Sequence, residues 1–163
     1  DKGERALSSD FVEDLLLLAA KRVLLNHHED GTLHKRIYPG DILAVSRWDN
    51  LYEHYGVYIG HGNVIHFAAN KGDFGENAKI RQVTLATFEK DNDYRIVAFP
   101  KTSNLKGYHL YSAKETVARA KSCLGKAGYD LFGNNCEHFA LWCKTGVKTS
   151  KQVNAVWRAI LSS

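Results

Sequence analysis

The 163-residue sequence has no methionine, only two prolines and three cysteines, and no apolar run of membrane-spanning length. Each scarcity excludes something. A translated chain starts with Met, so a sequence that opens at Asp1 is expected to be a processed or trimmed piece. The longest apolar run, Leu15 to Ala20, lies between Glu13-Asp14 and Lys21-Arg22. A span needs about 20 apolar residues, and a secretory signal needs a basic start and a small-residue cleavage site. Neither description fits. The sparse, odd set Cys123, Cys136 and Cys143 argues against a disulfide framework and for a reducing, cytoplasmic compartment. No Cys-x-x-Cys pair is present, so no zinc site is expected, and no cofactor motif stands out. His27, His28 and His34 fall in a polar stretch without an enforced spacing, which makes a weak metal set. Basic stripes interleaved with aromatics are missing, so nucleic acid is not an expected partner. The net charge of +4 suits an anionic membrane surface.

What is present is ordinary globular material. The apolar fraction of 44% and charged fraction of 25% fit one soluble domain over residues 1–163. A leading helix is expected over residues 9–26, capped by Ser9 or Asp10 and buried over a wide arc. Pro39-Gly40 signals a turn. Strands are expected at residues 41–48, 54–59, 64–69, 80–84 and 94–99, with one helical turn at 85–90. Ser112 and Glu115 make a capping box for a helix through about Leu124, with Val117, Ala120, Cys123 and Leu124 on its inner face. A second helix starts near Cys136 and ends at Gly146. A last one, capped by Ser150, carries the stripe Val153, Val156, Trp157 and Ile160. Helix, antiparallel strands, then helices define an α+β class.

The chemistry gathers on Asn134-Asn135-Cys136-Glu137-His138-Phe139. A thiol at a helix start faces free N–H groups and the positive end of the dipole, both of which favour thiolate. A nucleophilic Cys136 needs a base, and the strands supply His54 and His66. Side chains alternate across a strand, so both imidazoles share a face only if the hairpin between them pairs residues of equal parity. A two-residue loop at His61-Gly62 sets His66 opposite Val57, on the wrong face. A three-residue loop, His61-Gly62-Asn63, sets it opposite Tyr58, on the His54 face, and the odd loop is therefore expected. His54 would then take the thiol proton and His66 would hold its tautomer. From these residues alone, a small core cysteine and satisfied strand histidines stay open as the alternative. Cys143 and Cys123 read as structural, and His138 points away from Cys136.

Pro39-Gly40-Asp41, His54-Tyr55-Gly56-Val57-Tyr58-Ile59-Gly60, Val64-Ile65-His66 and Asn135-Cys136-Glu137-His138-Phe139 with Gly146-Val147 resemble the lecithin retinol acyltransferase-like family. That family includes the small phospholipase A/acyltransferases. The resemblance covers residues 38–153, leaving a leading segment, residues 1–30, outside the family core and a terminal helix at 150–163. It implies a circularly permuted papain-like fold, with the antiparallel sheet packed against helices that include the cysteine helix. It also implies cleavage of a glycerophospholipid ester through an acyl-thioester on Cys136, with peripheral membrane contact. Cys136, His54 and His66 match the family's catalytic positions. Loop 70–79 departs from the vertebrate pattern, so no acceptor carries over. A cysteine peptidase or amidase of the papain-like superfamily, or a non-catalytic interaction domain, are the competing functions.

Overall fold

A computed structural model describes residues 16–17, 36–47, 52–70, 72–90, 92–101, 104–127 and 135–162. The expected leading helix lies outside the described residues, apart from Leu16 and Leu17, which are helical, the first exposed and the second buried. The histidines at 27, 28 and 34 lie outside them too.

Five strands form one antiparallel sheet in the order β4-β3-β2-β1-β5. They are β1 (Ile42–Arg47), β2 (Tyr52–Gly60), β3 (Asn63–Ala68), β4 (Lys79–Thr84) and β5 (Tyr94–Ile96). Four helices complete the described elements: α1 (Leu85–Glu89), α2 (Ala113–Ser122), α3 (Cys136–Thr145) and α4 (Ser150–Leu161). The α+β expectation holds for these residues.

Every residue of β1 is buried, so both faces of the sheet are covered there. Directly opposed residues share a face. Ile42 pairs with Val57 and Ala44 with Tyr55, and Val57 pairs with Ile65. These residues join Phe139, Leu141, Val153, Val156 and Trp157 in the main core on the helix side. The other face holds Leu43, Val45 and Val64 under Phe88 of α1.

The helices start and stop where local chemistry dictates. Ser112 caps α2 through a full capping box with Glu115. The helix ends at Ser122, and Leu124 is 40% exposed, so Leu124 leaves the expected inner face while Cys123 stays buried. Asn135 caps α3 by accepting from the Glu137 N–H, and Gly146 closes it with φ 79°, a left-handed conformation that costs a side chain energy. The cap of α4 is Thr149 rather than Ser150. Its side chain accepts from the Gln152 N–H while Gln152 reaches back. The buried stripe Val153, Val156, Trp157 and Ile160 is as the period requires.

The hairpin corrects the expected loop. The turn has two residues, His61 (φ 53°) and Gly62 (φ 73°), between paired Gly60 and Asn63. Positive φ at both positions matches a type I′ turn. The register then shifts between Tyr58 and Gly60, leaving Ile59 as an extra residue in β2. His66 therefore pairs with Gly56 instead of Tyr58. The bulge restores the parity that the even loop breaks, and both histidines share a face.

Candidate functional site

His54 sits opposite Val45, and His66 sits opposite Gly56, so both imidazoles enter the face covered by Phe88. His54 Nε2 lies 2.8 Å from His66 Nδ1. The two rings meet edge to face, with centroids 5.0 Å apart. Phe88 closes over both, at 5.5 Å from His54 and 5.7 Å from His66. Gly56 makes this possible. A Cβ there would stand 2.6 Å from Val64 Cγ1 and 2.8 Å from Phe88 Cε2, so only a residue without one lets the ring lie on the sheet. His54 Nδ1 is buried and has no hydrogen-bond partner among the described residues.

Cys136 approaches from the other side of the sheet. It begins α3, is partly buried, and packs against the main core. Its sulfur is hydrogen-bonded by the backbone N–H groups of Tyr55 and Glu137. The Tyr55 amide is available for a reason set by register. The Tyr58 N–H donates to Asp41 O, so even-numbered residues of β2 aim their N–H groups at β1 and odd-numbered ones at β3. The last β2–β3 pair in that direction is Gly56 with His66, and Tyr55 lies beyond it. The sulfur thus occupies the fork where β3 leaves β2, beside the residue that follows His54.

Burial dominates the electrostatics. It lowers His54 to about 3, with Asp73 opposing and His66, Arg47 and Lys90 adding to the fall. His66 drops to about 4, again mainly through burial, with Asp73 opposing. The Cys136 thiol is pushed up to about 12 by burial, against the pull of the two N–H groups and with help from Glu137 and Asp73. Burial therefore works against the thiolate expected at the helix start, opposing the pull of the two N–H groups, and shifts thiol and imidazoles alike toward their neutral forms.

Asp73, a residue the sequence reading left in a loop, lies against the histidine pair. Its Oδ1 is 3.6 Å from His54 Nε2 and 3.6 Å from Lys90 Nζ. Its Oδ2 accepts from Arg47 Nε at 2.9 Å and from the Tyr52 hydroxyl. Burial raises its carboxyl, but His54, Tyr52 and Arg47 outweigh that and hold it below the usual range. Burial and the hydrogen bond to Asp73 raise Tyr52 well above its usual range, so it stays a neutral donor. Arg47 also donates to the carbonyls of Phe88 and Glu89, which pins the end of α1 to the site. The available signal was an arginine ending a largely apolar strand and an acid bracketed by Gly72 and Gly75.

Cys123 and Cys143 are buried free thiols in the core. Among the described residues no cluster of His, Cys, Asp and Glu could hold a metal ion, and no helix is long and apolar enough to cross a membrane.

A cysteine at a helix start and a buried histidine pair on an antiparallel sheet are the chemical groups of this α+β fold. The sequence profile of lecithin retinol acyltransferase matches residues 35–149. The chain belongs to that family. It is 30% identical over 128 residues to phospholipase A and acyltransferase 1 of Rattus norvegicus, covering 72% of this chain and 73% of the relative. It is 29% identical over 144 residues to lecithin retinol acyltransferase of Homo sapiens, covering 77% of this chain and 60% of the relative. The rat lecithin retinol acyltransferase is 32% identical over 135 residues, covering 69% of this chain and 56% of the relative. The chain therefore spans less than two-thirds of the lecithin retinol acyltransferases it matches.

Proposed function

We propose that the chain is a thiol-dependent lipid acyltransferase or phospholipase A acting on glycerophospholipid esters, in a permuted papain-like arrangement. One observation carries the reading. A 2.8 Å His54–His66 pair leaves His54 Nδ1 bare and buried, while the Cys136 sulfur is bonded to the amide of the next residue, Tyr55. The names of the relatives supply the substrate class.

Cys136 Sγ attacks the ester carbonyl carbon while His54 Nδ1 takes the thiol proton. The carbonyl π electrons move to oxygen. When they return, the bond to the lysophospholipid oxygen breaks, and that oxygen leaves with the proton from His54. The acyl group now rests on sulfur as a thioester. Water or another acceptor attacks it, His54 removes the acceptor's proton, the C–S bond breaks, and the sulfur recovers a proton. The resting groups suit this order. A base at about 3 is weak and a thiol at about 12 is poorly acidic, so transfer accompanies attack rather than preceding it. Phe74, 56% exposed and 5.3 Å from the Tyr52 ring, supports a lipid-facing rim and peripheral membrane contact. The expected location is cytoplasmic.

The test is incubation with phosphatidylcholine vesicles followed by intact mass. A fatty acyl increment on the chain, lost in Cys136→Ala, supports the reading. Absence of lipid turnover with cleavage of a peptide amide instead moves the chain to the peptidase class. Turnover of neither substrate leaves an interaction domain.

A further inference from the structure

We infer that Asp73 is the positioning residue that fixes the tautomer of His54. This rests on the acyl-transfer reading above. His66 alone cannot decide the matter. A neutral imidazole has one donor and one acceptor nitrogen, so His66 Nδ1 can either accept from His54 Nε2 or donate to it. The second choice places the proton of His54 on Nδ1, the nitrogen that must accept the thiol proton. An ionised carboxylate only accepts. Asp73 Oδ1, 3.6 Å from His54 Nε2, therefore favours the proton on Nε2 and leaves Nδ1 bare. The same charge stabilises the imidazolium formed during attack.

The carboxylate is itself oriented. Arg47 Nε and the Tyr52 hydroxyl both donate to Oδ2, which turns Oδ1 toward His54. The other charged groups facing His54 are Arg47 from β1, His66 from β3 and Lys90 after α1. Lys90 competes for Oδ1 at 3.6 Å, yet its side chain is half exposed, while Asp73 is buried.

The isosteric variant Asp73→Asn gives a sharp result. Arg47 Nε can only donate, so the amide oxygen of the variant takes the Oδ2 position and its NH2 group faces His54 Nε2. That arrangement imposes the wrong tautomer. Long-range 1H–15N spectra at pH 7, with His54 assigned by His54→Gln, should show an Nε2–H ring in the parent chain and an Nδ1–H ring in Asp73→Asn. With a soluble short-chain p-nitrophenyl ester, kcat should fall at least about 100-fold while KM stays within about twofold. An unchanged tautomer or an unchanged kcat overturns the inference. Should Asp73→Asn fail to fold by circular dichroism, Lys90→Gln decides. Removing the competing cation should raise the acid limb of kcat/KM for the same ester, and a limb that stays in place overturns the inference. Parent turnover that survives in Cys136→Ala sinks the acyl-transfer reading instead, whatever the Asp73 spectra show.

Discussion

Gly56→Ala tests whether packing of Phe88 controls the histidine pair. The new Cβ would meet Val64 Cγ1 at 2.6 Å, Phe88 Cε2 at 2.8 Å and Phe88 Cζ at 3.2 Å. Carbon contacts settle near 3.5–4.0 Å, so the ring must retreat by roughly 0.7–1.2 Å. Phe88 and Val64 are fully buried, and the ring is held from behind by the hydrogen bonds that Arg47 gives to the Phe88 and Glu89 carbonyls. Overpacking of this kind costs about 1–3 kcal/mol. For a domain of this size that lowers Tm by about 2–12 °C. The retreat also admits water to two imidazoles whose low values come chiefly from burial, so His54 should titrate upward from about 3 toward the ordinary range.

Thermal melts at pH 7.5 and histidine NMR titrations read both effects. Phe88→Leu supplies the partner for a double-mutant cycle. The pair should destabilise less than the sum of the singles, with a coupling of about 0.5–3 kcal/mol. A Tm within 1 °C of the parent, or additive singles, would show that the close approach at Gly56 is unimportant and that the shared lid is a misreading.

Three other outcomes are expected. Stability should fall as pH drops from about 6.5 toward 4. His54 and His66 have folded values of about 3 and 4, below their unfolded value, so the unfolded chain binds more protons in that window. Each imidazole contributes a slope of about 1.4 kcal/mol per pH unit, and urea midpoints across pH 4–7 should flatten in His54→Gln. Iodoacetamide should label Cys136 at pH 8 more slowly in the native chain than in urea, because burial pushes the thiol up to about 12; faster native labelling, followed by peptide mass mapping, refutes the neutral thiol. Gly146→Ala should cost about 1–2 kcal/mol in urea unfolding, since φ is 79° and the new Cβ would lie 3.3 Å from Tyr111 Cε2.

The elements were legible because their signals are local. Alternation marks the strands, and Asn135 and Gly146 bracket α3 with a side-chain cap and a left-handed stop. The shared face of His54 and His66 was also within reach, since parity is a counting matter. The route to it was not. Gly60-His61-Gly62-Asn63 suits a two- or three-residue turn, and the bulge at Ile59 has no mark of its own in the sequence. Leu124 fits the periodic stripe of α2 but falls after the helix has ended. Asp73 was missed for another reason. It stands in a loop without periodicity, and its partners Arg47, Tyr52 and His54 come from elements up to 26 residues away. The thiol shows the same limit with a sign. Helix position is local and pulls the value down, whereas burial is tertiary and here outweighs it.

That balance gives the site a consistent design under the proposed function. A sulfur kept as thiol resists alkylation and oxidation while no ester is bound. The cost is that proton transfer has to be arranged within the attack itself. Three features meet that need. The Tyr55 and Glu137 amides already bond the sulfur and favour the charge it develops. His54 Nδ1 has no competing partner among the described residues, so under that reading it is left to take the thiol proton. The charge that results on His54 faces His66 at 2.8 Å and the Asp73 carboxylate at 3.6 Å, beneath the buried Phe88 ring, which limits screening of their interaction. Burial that silences both resting groups therefore also strengthens the contacts that act once the proton moves, because the same low dielectric governs both.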